Sequence, residues 1–556
     1  MYNLLIGGAA GQGTDTTASI LQKLLKKSGY NVFTVKDFMS RVRGGHNFSL
    51  IRFGIEPVLS HSDKLDGIIA MNDETVEYHR DQLNENGFIL CDSALTTNDH
   101  RAIKIDMTAM AKELGNPRVA GSIAIGAFLK LFSESLVNVN ESLQEFVKEQ
   151  FLEINARAVK EGFDIVETRF PHLEGNCQDW MILSGSQAMS LGAIAAGLRF
   201  YSAYPMSPST AIMEYLASKG DEAGIVVEQA EDEIAAINMA IGASYTGARA
   251  MTATSGGGFC LMVEALGLSG IAEIPLVVAD IQRPGPATGL PTRTEQSDLK
   301  FVISASQGEF PRMVIAIRNH TDAFYQTARA FHLAEKYQIP VIILSDQYLG
   351  DASATVKPYD LSKIDTDKPT QVTSNEGEYL RYRFTESGIS PRLLPGNPKS
   401  FVRIDSDEHD EQGWITESAD MRIKMMDKRA KKLDGLKLEL QEPEFLGSES
   451  FDTLFVGWGS TYGPIAEAVK VLNDKTNGKY AALVFGDVYP LPRKLLEEKA
   501  AKAQQIINIE QNATGQLADL IREQTGIACI SSILKYDGRQ ISGEEIADRI
   551  IKGVQQ

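Results

Sequence analysis

Four carboxylates stand before an apolar run in residues 226–240, VVEQAEDEIAAINMA. They are Glu228, Glu231, Asp232 and Glu233. Acids at a helix N-terminus stabilise the helix dipole by about 0.3–1 kcal/mol each, which would explain them without chemistry. Glu233 is the acid nearest the apolar run, where desolvation raises a carboxyl pKa toward a range suited to proton transfer. We therefore take Glu233 as the acid–base candidate, assign Glu231 and Asp232 to the helix, and leave Glu228 undecided.

Two nearby turns offer hydroxyl and backbone N–H groups. The first is YPMSPST (204–210), where Pro205 restricts the backbone and Tyr204 and Ser207 present hydroxyls. The second is ATSGGGF (253–259), where a predicted strand ends in a glycine turn before a helix. Ser255 and Gly256 open that helix, and a helix N-terminus without Cβ atoms lets a ligand approach the backbone N–H groups.

A third loop, IQRPGPATGLPTRTEQSDL (281–299), combines prolines with polar side chains. Its Arg283 has a guanidinium group that can bind a carboxylate through two parallel hydrogen bonds. Thr292 can add a hydroxyl group to the same ligand. Rigid loops at the ends of parallel strands are where α/β sheets bind ligands, so this loop is a substrate candidate.

The N-terminal turn GGAAGQGT holds Gly11 and Gly13 between a predicted strand and a predicted helix. Its spacing differs from the dinucleotide-binding pattern and lacks the lysine of a phosphate loop, so turn geometry alone explains the glycines equally well. The segment SRVRGGHNFSLIRFG (40–54) places Arg41 and Arg43 before a second glycine pair. In an acidic chain these arginines favour a phosphate-binding role, with an ordinary solvated turn as the alternative.

Three strand–turn–helix segments position these groups, starting near Tyr2, Trp180 and Thr453. Such openings, with later apolar strands such as IPLVVAD and IPVIILSD, are typical of parallel α/β layers. We predict an α/β fold of three parallel-sheet modules. The predicted boundaries are 1–175, 176–356 and 450–556 for the modules and 357–449 for a charged connecting segment.

The overall composition limits the classes of function. The 556-residue chain has a formal net charge of −18, which argues against binding nucleic acid or an anionic membrane. Its four cysteines are far apart, so an iron–sulfur or zinc site made by this chain alone is not expected. The N-terminus lacks a basic leader, and no apolar run approaches the roughly 20 residues of a membrane span, so we expect a cytoplasmic protein.

Together these motifs resemble the α subunit of 2-oxoacid:ferredoxin oxidoreductases, with a γ-subunit-like domain fused ahead of it. The resemblance covers nearly the whole chain. It rests on YPMSP, EDEIAAINMAIGAS, ATSGGGF and RPGPATGLPTRTEQSDL, on GGAAGQG and RVRGGHN at the N-terminus, and on DEHDEQG at 407–413. The three modules would then be the γ-like domain, the thiamine diphosphate pyrimidine-binding domain and a transketolase C-terminal-like domain.

The resemblance implies a reaction in which a 2-oxoacid, coenzyme A and oxidised ferredoxin give an acyl-CoA, CO2 and reduced ferredoxin. It implies thiamine diphosphate as cofactor, shared with a β subunit that carries the diphosphate–Mg²⁺ site and a [4Fe–4S] cluster. The expected assembly is an (αβ)2 heterotetramer that reduces ferredoxin. A fused chain without its own cluster suits 2-oxoglutarate, or a broad specificity that includes pyruvate.

The resemblance also implies roles for particular residues. Glu233 would face N1′ of the aminopyrimidine ring, within a cofactor site formed with Tyr204, Pro205, Ser255 and Gly256. Arg283, Thr292 and Ser207 would contact the substrate, and Gly11, Gly13, Arg41 and Arg43 would lie on the coenzyme A side. Asp407 and His409 are candidates for a substrate-facing loop, with an exposed acidic loop as the alternative.

Two departures from the family pattern leave the fold expectation intact: Ser207 stands where Thr is usual, and Gly257 where Pro is common. Both bear on fine substrate preference. Two other functions stay open at this stage, a thiamine-dependent transferase of transketolase type and a non-catalytic scaffold subunit. The absence of a diphosphate motif weighs against the first, and the Arg283 and Tyr204 loops weigh against the second.

Overall fold

The computed structural model describes residues 1–38, 44–372, 378–396 and 400–553. These residues form two compact units. The first comprises 1–184 and 351–359, and the second comprises 185–350 and 360–556. Elements are numbered along the chain.

The first unit is an α/β unit built on one sheet. Its strands are β1 (Tyr2–Ala10), β2 (Asn31–Phe38), β3 (Gly44–Gly54), β4 (Leu65–Ala70), β5 (Leu83–Asp92), β6 (Ala102–Ile105), β7 (Met181–Ser184) and β14 (Ser353–Val356). Its helices are α1 (Thr14–Lys27), α2 (Asp73–His79), α3 (Met107–Glu113), α4 (Ala120–Leu131), α5 (Val139–Gln144) and α6 (Leu152–Asp164), with 3₁₀ turns at Arg80–Gln82, Pro117–Val119 and Glu149–Phe151.

The sheet of the first unit is mixed, in the order β6-β5-β4-β1-β3-β2-β14-β7. Strands β1, β4, β5 and β6 are parallel, as predicted for this module. Strands β3, β2, β14 and β7 pair antiparallel. Strands β2 and β3 are separated by only a few residues, and so short a connection allows antiparallel pairing alone.

The second unit holds the remaining elements. Its strands are β8 (Leu198–Ala203), β9 (Val226–Gln229), β10 (Arg249–Thr254), β11 (Leu276–Gln282), β12 (Met313–Ala316), β13 (Pro340–Asp346), β15 (Gln371–Val372), β16 (Arg392–Leu393), β17 (Glu444–Gly447), β18 (Thr453–Trp458), β19 (Tyr480–Phe485), β20 (Asp487–Tyr489), β21 (Gln505–Glu510) and β22 (Ser531–Leu534). Its helices are α7 (Gly185–Ala195), α8 (Thr210–Ala223), α9 (Glu233–Tyr245), α10 (Gly256–Ile271), α11 (Leu299–Ser304), α12 (His320–Tyr337), α13 (Gln347–Asp351), α14 (Ala419–Lys437), α15 (Tyr462–Lys475), α16 (Lys494–Ala500), α17 (Gln516–Thr525) and α18 (Gly543–Ile551), with 3₁₀ turns at Leu361–Lys363 and Gly459–Thr461.

A seven-stranded sheet in the order β20-β12-β13-β11-β10-β8-β9 positions the candidate site. Its strands are parallel except β20. The central strands β10, β11 and β13 are buried along their whole length, which agrees with the apolar runs of β11 and β13, whereas β10 also buries Arg249, Thr252 and Thr254. Because the strands are parallel, their carboxyl ends meet at one edge of the sheet, where loops after β8, β9, β10 and β11 converge.

A second sheet in the same unit is formed by the C-terminal module, residues 444–551. Its order is β17-β19-β18-β21-β22, with only β17 antiparallel. The module shares a hydrophobic core with the seven-stranded sheet, in which Phe259 and Val302 join Trp458 and Leu517. The two sheets are therefore fixed to one another within this unit.

The predicted α/β class is confirmed, with mostly parallel sheets. The module boundaries at 175/176, 356/357 and 449/450 stay a prediction. Within the described ranges, no helix combines the length and apolarity needed to cross a bilayer.

Candidate functional site

Glu233 is the first residue of α9, and its neighbour decides where that helix begins. The Asp232 carboxylate accepts a hydrogen bond from the Ala235 N–H at 2.7 Å, which is an N-cap. The prediction that Asp232 serves the helix is confirmed. Glu231 is exposed. Because Asp232 caps α9, Glu233 is the first residue of the helix, and its side chain lies on the buried side.

The Glu233 side chain is buried and incompletely paired. Only 4% of the residue is exposed, and its Oε1 atom has no hydrogen-bond partner among the residues that the structure describes. A Cβ atom placed on Gly258 would lie 2.5 Å from that oxygen, and it would also collide with the Thr254 hydroxyl. Glycine at 258 therefore leaves the space in which Glu233 sits. A buried polar oxygen without a partner costs free energy, so it marks a place where a ligand donor fits.

The N-terminus of α10 lies beside Glu233 and has its own unsatisfied group. Ser255 is the N-cap residue, but its hydroxyl does not cap the helix, and within the described part of the chain this completely buried hydroxyl has no partner. The first helical residue, Gly256, packs against the Asp298 carboxylate, whose Oδ2 atom lies 2.5 Å from the Cβ position of a side chain there. The first turn of α10 thus lies against two carboxylates, that of Asp298 at Gly256 and that of Glu233 at Gly258.

Two aspartates that the sequence analysis missed belong to this edge of the sheet. Asp280 is completely buried near the carboxyl end of β11, in register with Thr254, and no described residue hydrogen-bonds to either of its carboxylate oxygens. Burial raises the pKa of Asp280 well above its ordinary value, and the nearby Asp298 charge adds to that effect. Burial also raises the pKa of Asp298 to about 6, with a contribution from Glu295. For Asp280 the sequence signal was an acid at the end of the apolar run IPLVVAD, whereas Asp298 lies in the polar stretch TEQSD and had no such signal.

The Arg283 loop approaches the Tyr204–Pro205 turn. Arg283 donates a hydrogen bond to the Ser207 carbonyl at 2.6 Å, and burial lowers its pKa. The structure therefore joins these two predicted residues through the backbone of Ser207. Thr292 is half-buried, and among the described residues no hydrogen bond links it to Arg283. Tyr204 is partly exposed, at 39%, and Pro205 is half-buried.

The glycine turn of the first unit borders a cavity of about 450 Å³. Gly11 and Gly13 have φ angles of 95° and 78°, a region that favours glycine, and Gly13 is the N-cap residue of α1. The cavity is lined by this turn, the end of β5 at Asp92, and Arg118. Arg118 was not singled out from the sequence. Arg41 and Arg43 lie outside the described residues.

The 405–413 segment makes well-defined local contacts. Asp407 is exposed, whereas the His409 ring is completely buried and stacks on Tyr382 with ring centroids 3.8 Å apart. Burial lowers the pKa of His409. Glu408 forms an ion pair with Arg429 at 2.7 Å. No described contact joins this segment to Glu233 or Arg283, and a substrate contact of Asp407 or His409 stays a prediction.

The fold and this edge define a class: an α/β protein with a ligand site at the carboxyl ends of parallel strands, furnished with buried carboxyl groups. Comparison with known proteins gives the family. Residues 191–428 match the pattern "Pyruvate flavodoxin/ferredoxin oxidoreductase, thiamine diP-bdg", and residues 3–165 match "Pyruvate ferredoxin/flavodoxin oxidoreductase".

Full-length relatives support the same assignment. The chain is 33% identical to a 2-oxoacid:ferredoxin oxidoreductase subunit alpha of Sulfolobus sp, over 99% of this chain and 96% of that protein. It is 28% identical to the 2-oxoglutarate oxidoreductase subunit KorA of Mycobacterium tuberculosis, over 97% and 89% of the two chains. The solved 2-oxoglutarate:ferredoxin oxidoreductase from Magnetococcus marinus, with 2-oxoglutarate, coenzyme A and succinyl-CoA bound, is 31% identical. It aligns with a TM-score of 0.93 over 100% of this chain and 99% of that one.

The chain therefore belongs to the 2-oxoacid:ferredoxin oxidoreductase family, as an α-type subunit of an oxidoreductase. The predicted resemblance and enzyme class are confirmed, and the family match includes a thiamine diphosphate-binding region.

Proposed function

We propose that this chain supplies the aminopyrimidine half of a thiamine diphosphate site for the coenzyme A-dependent oxidative decarboxylation of a 2-oxoacid, with 2-oxoglutarate favoured. The observation that carries the proposal is Glu233, a buried carboxylate with an unpartnered oxygen at the start of α9. A relative with a TM-score of 0.93 has 2-oxoglutarate and coenzyme A bound, which supports this choice of substrates.

The residues around Glu233 suit the aminopyrimidine ring. Thiamine diphosphate, when bound, supplies the stabilised carbanion that decarboxylation beside a carbonyl group requires. Glu233 would hold a proton at the ring nitrogen N1′, and positioned proton transfer of this kind contributes about 10²- to 10⁴-fold to rate. The Ser255 hydroxyl and the α10 N-terminus at Gly256 offer further hydrogen-bonding groups, and Tyr204 and Pro205 would border the ring.

Arg283 is the proposed contact for the substrate carboxylate. Its hydrogen bond to the Ser207 carbonyl uses one of five N–H donors and fixes the guanidinium, which leaves donors for a carboxylate. Thr292 and the Ser207 hydroxyl would add contacts from the two loops that Arg283 joins. The half-buried setting of Arg283 strengthens such a charge pair by limiting solvent screening.

The remaining half of the site is proposed to belong to a β subunit. The helices α9 and α10, whose first turns hold Glu233 and Gly258, expose the apolar side chains of Ile234, Met239 and Leu261, at 51%, 42% and 50%. Exposed apolar side chains on helices that carry a half-formed site favour burial by a partner. We expect that partner to bring the diphosphate–Mg²⁺ site and the [4Fe–4S] cluster, to pass electrons to ferredoxin, and to form an (αβ)2 heterotetramer.

The first unit is proposed to bind coenzyme A. The α1 N-terminus and the Gly11–Gly13 turn provide backbone N–H groups for phosphate, and Arg118 adds a positive charge to the same cavity. Arg41 and Arg43 would contribute to the same side.

The proposal is tested by co-purifying the chain with its β subunit and measuring ferredoxin or dye reduction with a panel of 2-oxoacids. The panel comprises 2-oxoglutarate, pyruvate, 2-oxobutyrate, a branched 2-oxoacid and an aryl-pyruvate. We expect coenzyme A-dependent turnover that is fastest with 2-oxoglutarate. Turnover by the α chain alone, or no turnover with any 2-oxoacid in the complex, would refute the proposal.

A further inference from the structure

The residues that follow the Arg283 loop are attached to the C-terminal module. We call residues 283–293 the substrate loop and residues 294–300 the anchor segment. In the anchor segment Thr294, Gln296 and Leu299 are buried and only Lys300 is exposed, whereas residues 285–291 at the tip of the loop are all exposed. The tip is closed mainly on itself, by the hydrogen bond from the Leu290 N–H to the Pro284 carbonyl at 3.1 Å.

Gln296 is the centre of this attachment. It is completely buried, and both its backbone and its side chain bond to the C-terminal module. Its N–H donates to the Gln511 carbonyl at 2.7 Å, while its Oε1 accepts from the Gln511 N–H at 3.2 Å. Its Nε2 donates to the Trp458 carbonyl at 2.9 Å, and its carbonyl accepts from Asn512 at 3.0 Å.

The end of the anchor segment is held in the same way. The Gln516 side chain accepts from the Lys300 N–H at 2.9 Å and donates to the Ser297 carbonyl at 2.7 Å. Buried hydrogen bonds are costly to leave unmade, so a segment paired at both ends cannot shift without breaking several of them.

Gly538 lies against both the anchor segment, at Thr294, and the substrate loop, at Leu290 and Arg293. Its carbonyl accepts from the Thr294 N–H at 3.3 Å. A Cβ atom at this position would lie 3.1 Å from Leu290 Cδ1 and 3.2 Å from Arg293 Cβ. Thr292 lies between those two residues, so the Gly538 turn is the surface against which this part of the loop rests.

We infer that the C-terminal module positions the substrate loop, through Gln296 and Gly538, and so sets affinity and selectivity for the 2-oxoacid. The inference rests on the proposed role of Arg283 and Thr292. Gln296 and Gly538 are positioning residues, since they act through the loop. The physical basis is that an exposed tip has little packing of its own, and a misplacement of about 1 Å in a binding group costs about 100-fold in rate.

The test compares two glycine substitutions in the same module. Gly538→Ala adds a methyl group against the loop at a φ of 78°, and Gly526→Ala adds one at a φ of 76° with nothing within 4 Å. The two glycines have nearly the same positive φ, so the comparison controls for the strain that φ imposes and leaves the contact of the added methyl group with the loop as the difference. In the complex with the β subunit, we expect Gly538→Ala to raise KM for 2-oxoglutarate about tenfold, with kcat changed less. Gly526→Ala should match wild type.

Hydrogen exchange on the full-length α chain separates this inference from the proposed function. Amides of 286–295 should exchange faster in Gly538→Ala than in Gly526→Ala, whether or not any 2-oxoacid is turned over. If Gly538→Ala folds poorly, Gly538→Asn with Gly526→Asn as its control repeats the test, since Asn tolerates positive φ. Equal exchange in the two members of a pair, or equal KM values, would overturn the inference.

Discussion

Two buried glutamates in the second unit differ in what surrounds their carboxylates. Glu233, at the start of α9, has a buried oxygen that finds no partner in the described ranges. Glu273, just after α10, is completely buried and accepts hydrogen bonds from Lys428 at 2.6 and 2.8 Å, with Lys432 also at 2.6 Å. The fold therefore supplies partners for both oxygens of the Glu273 carboxylate and leaves the hydrogen bonding of the Glu233 carboxylate incomplete.

The pKa of Glu273 shows how strongly that environment acts. Burial alone would raise it, but the Lys428 and Lys432 ammonium groups outweigh burial and hold the pKa below its ordinary range. Burial lowers the pKa of Lys432 to about 7, against the attraction of Glu273. A carboxylate paired in this way is a structural tie between α10 and α14. A carboxylate with one oxygen left unpaired is available to a ligand. The stability lost by burying that oxygen is tolerated because the site needs it for function.

The largest expected effect is on activity at the unpaired carboxylate. In the complex with the β subunit, Glu233→Gln should lower kcat by about 10²- to 10⁴-fold, because the amide cannot exchange a proton at that position. The thermal midpoint of the α chain should stay the same or rise, since no native partner of Oε1 is lost. Glu231→Gln, at an exposed neighbour, is the matched control and should keep full activity. Full activity in Glu233→Gln would remove this residue from the mechanism.

At Glu273 the expected effect is a loss of stability. Glu273→Gln leaves Lys428 and Lys432 buried without a counter-charge, and breaking a buried pair in this way costs about 3–5 kcal/mol of unfolding free energy. Urea unfolding of the α chain measures the loss, with Glu264→Gln on the exposed side of α10 as the control. A loss below about 1 kcal/mol would show that Glu273 does not tie the helices together, and the contrast between the two glutamates would fail.

A smaller effect is expected from a substitution that reduces the space beside Glu233. Gly258→Ala places a methyl group 2.5 Å from Glu233 Oε1, so the carboxylate must move. We expect about a tenfold loss of kcat/KM, from overpacking of about 1–3 kcal/mol that acts at the site. Gly257→Ala is the control, because its methyl group would lie 3.7 Å from the nearest atom, the Ala287 carbonyl oxygen. The same loss in both variants would assign the effect to the helix instead of the carboxylate.

The smallest expected effect is a pH dependence at Lys432. Its folded pKa of about 7 lies below the unfolded value of about 10.4, so the unfolded chain binds more protons between these pH values. Unfolding free energy should therefore rise by about 2 kcal/mol from pH 7 to pH 9. Urea unfolding at both pH values should show this rise in wild type and a flatter profile in Lys432→Met. A slope unchanged by the substitution would contradict the assignment.

Local sequence predicted the elements near the site well. The switch from acidic to apolar residues at 231–241 marked the start of α9, and Asp232 caps it as expected. Glycine turns at 11–13 and 256–258 marked the starts of α1 and α10. These signals are local because capping and left-handed turns involve residues only a few positions apart.

Other features depended on residues distant in sequence. Asp280 and Asp298 were missed, since their coupling arises only when β11 and the loop after it fold beside α10. Strand β14 pairs with β2, more than 300 residues earlier, as the Val32 N–H bond to the Thr355 hydroxyl shows. No local sequence pattern predicts a pairing between strands so far apart.

The sequence by itself determined which chemical groups this protein could use: a glutamate at a helix start, an arginine in a rigid loop, and glycines where backbone N–H groups are open. The tertiary structure alone decided which groups are satisfied. Glu273 meets Lys428 across 155 residues, and Gln296 meets Gln511 across 215, while one oxygen of Glu233 meets no partner in the part of the chain that the structure describes. The reason is that the availability of a polar atom depends on burial and on partners brought by distant segments, and both exist only after the sheets pack.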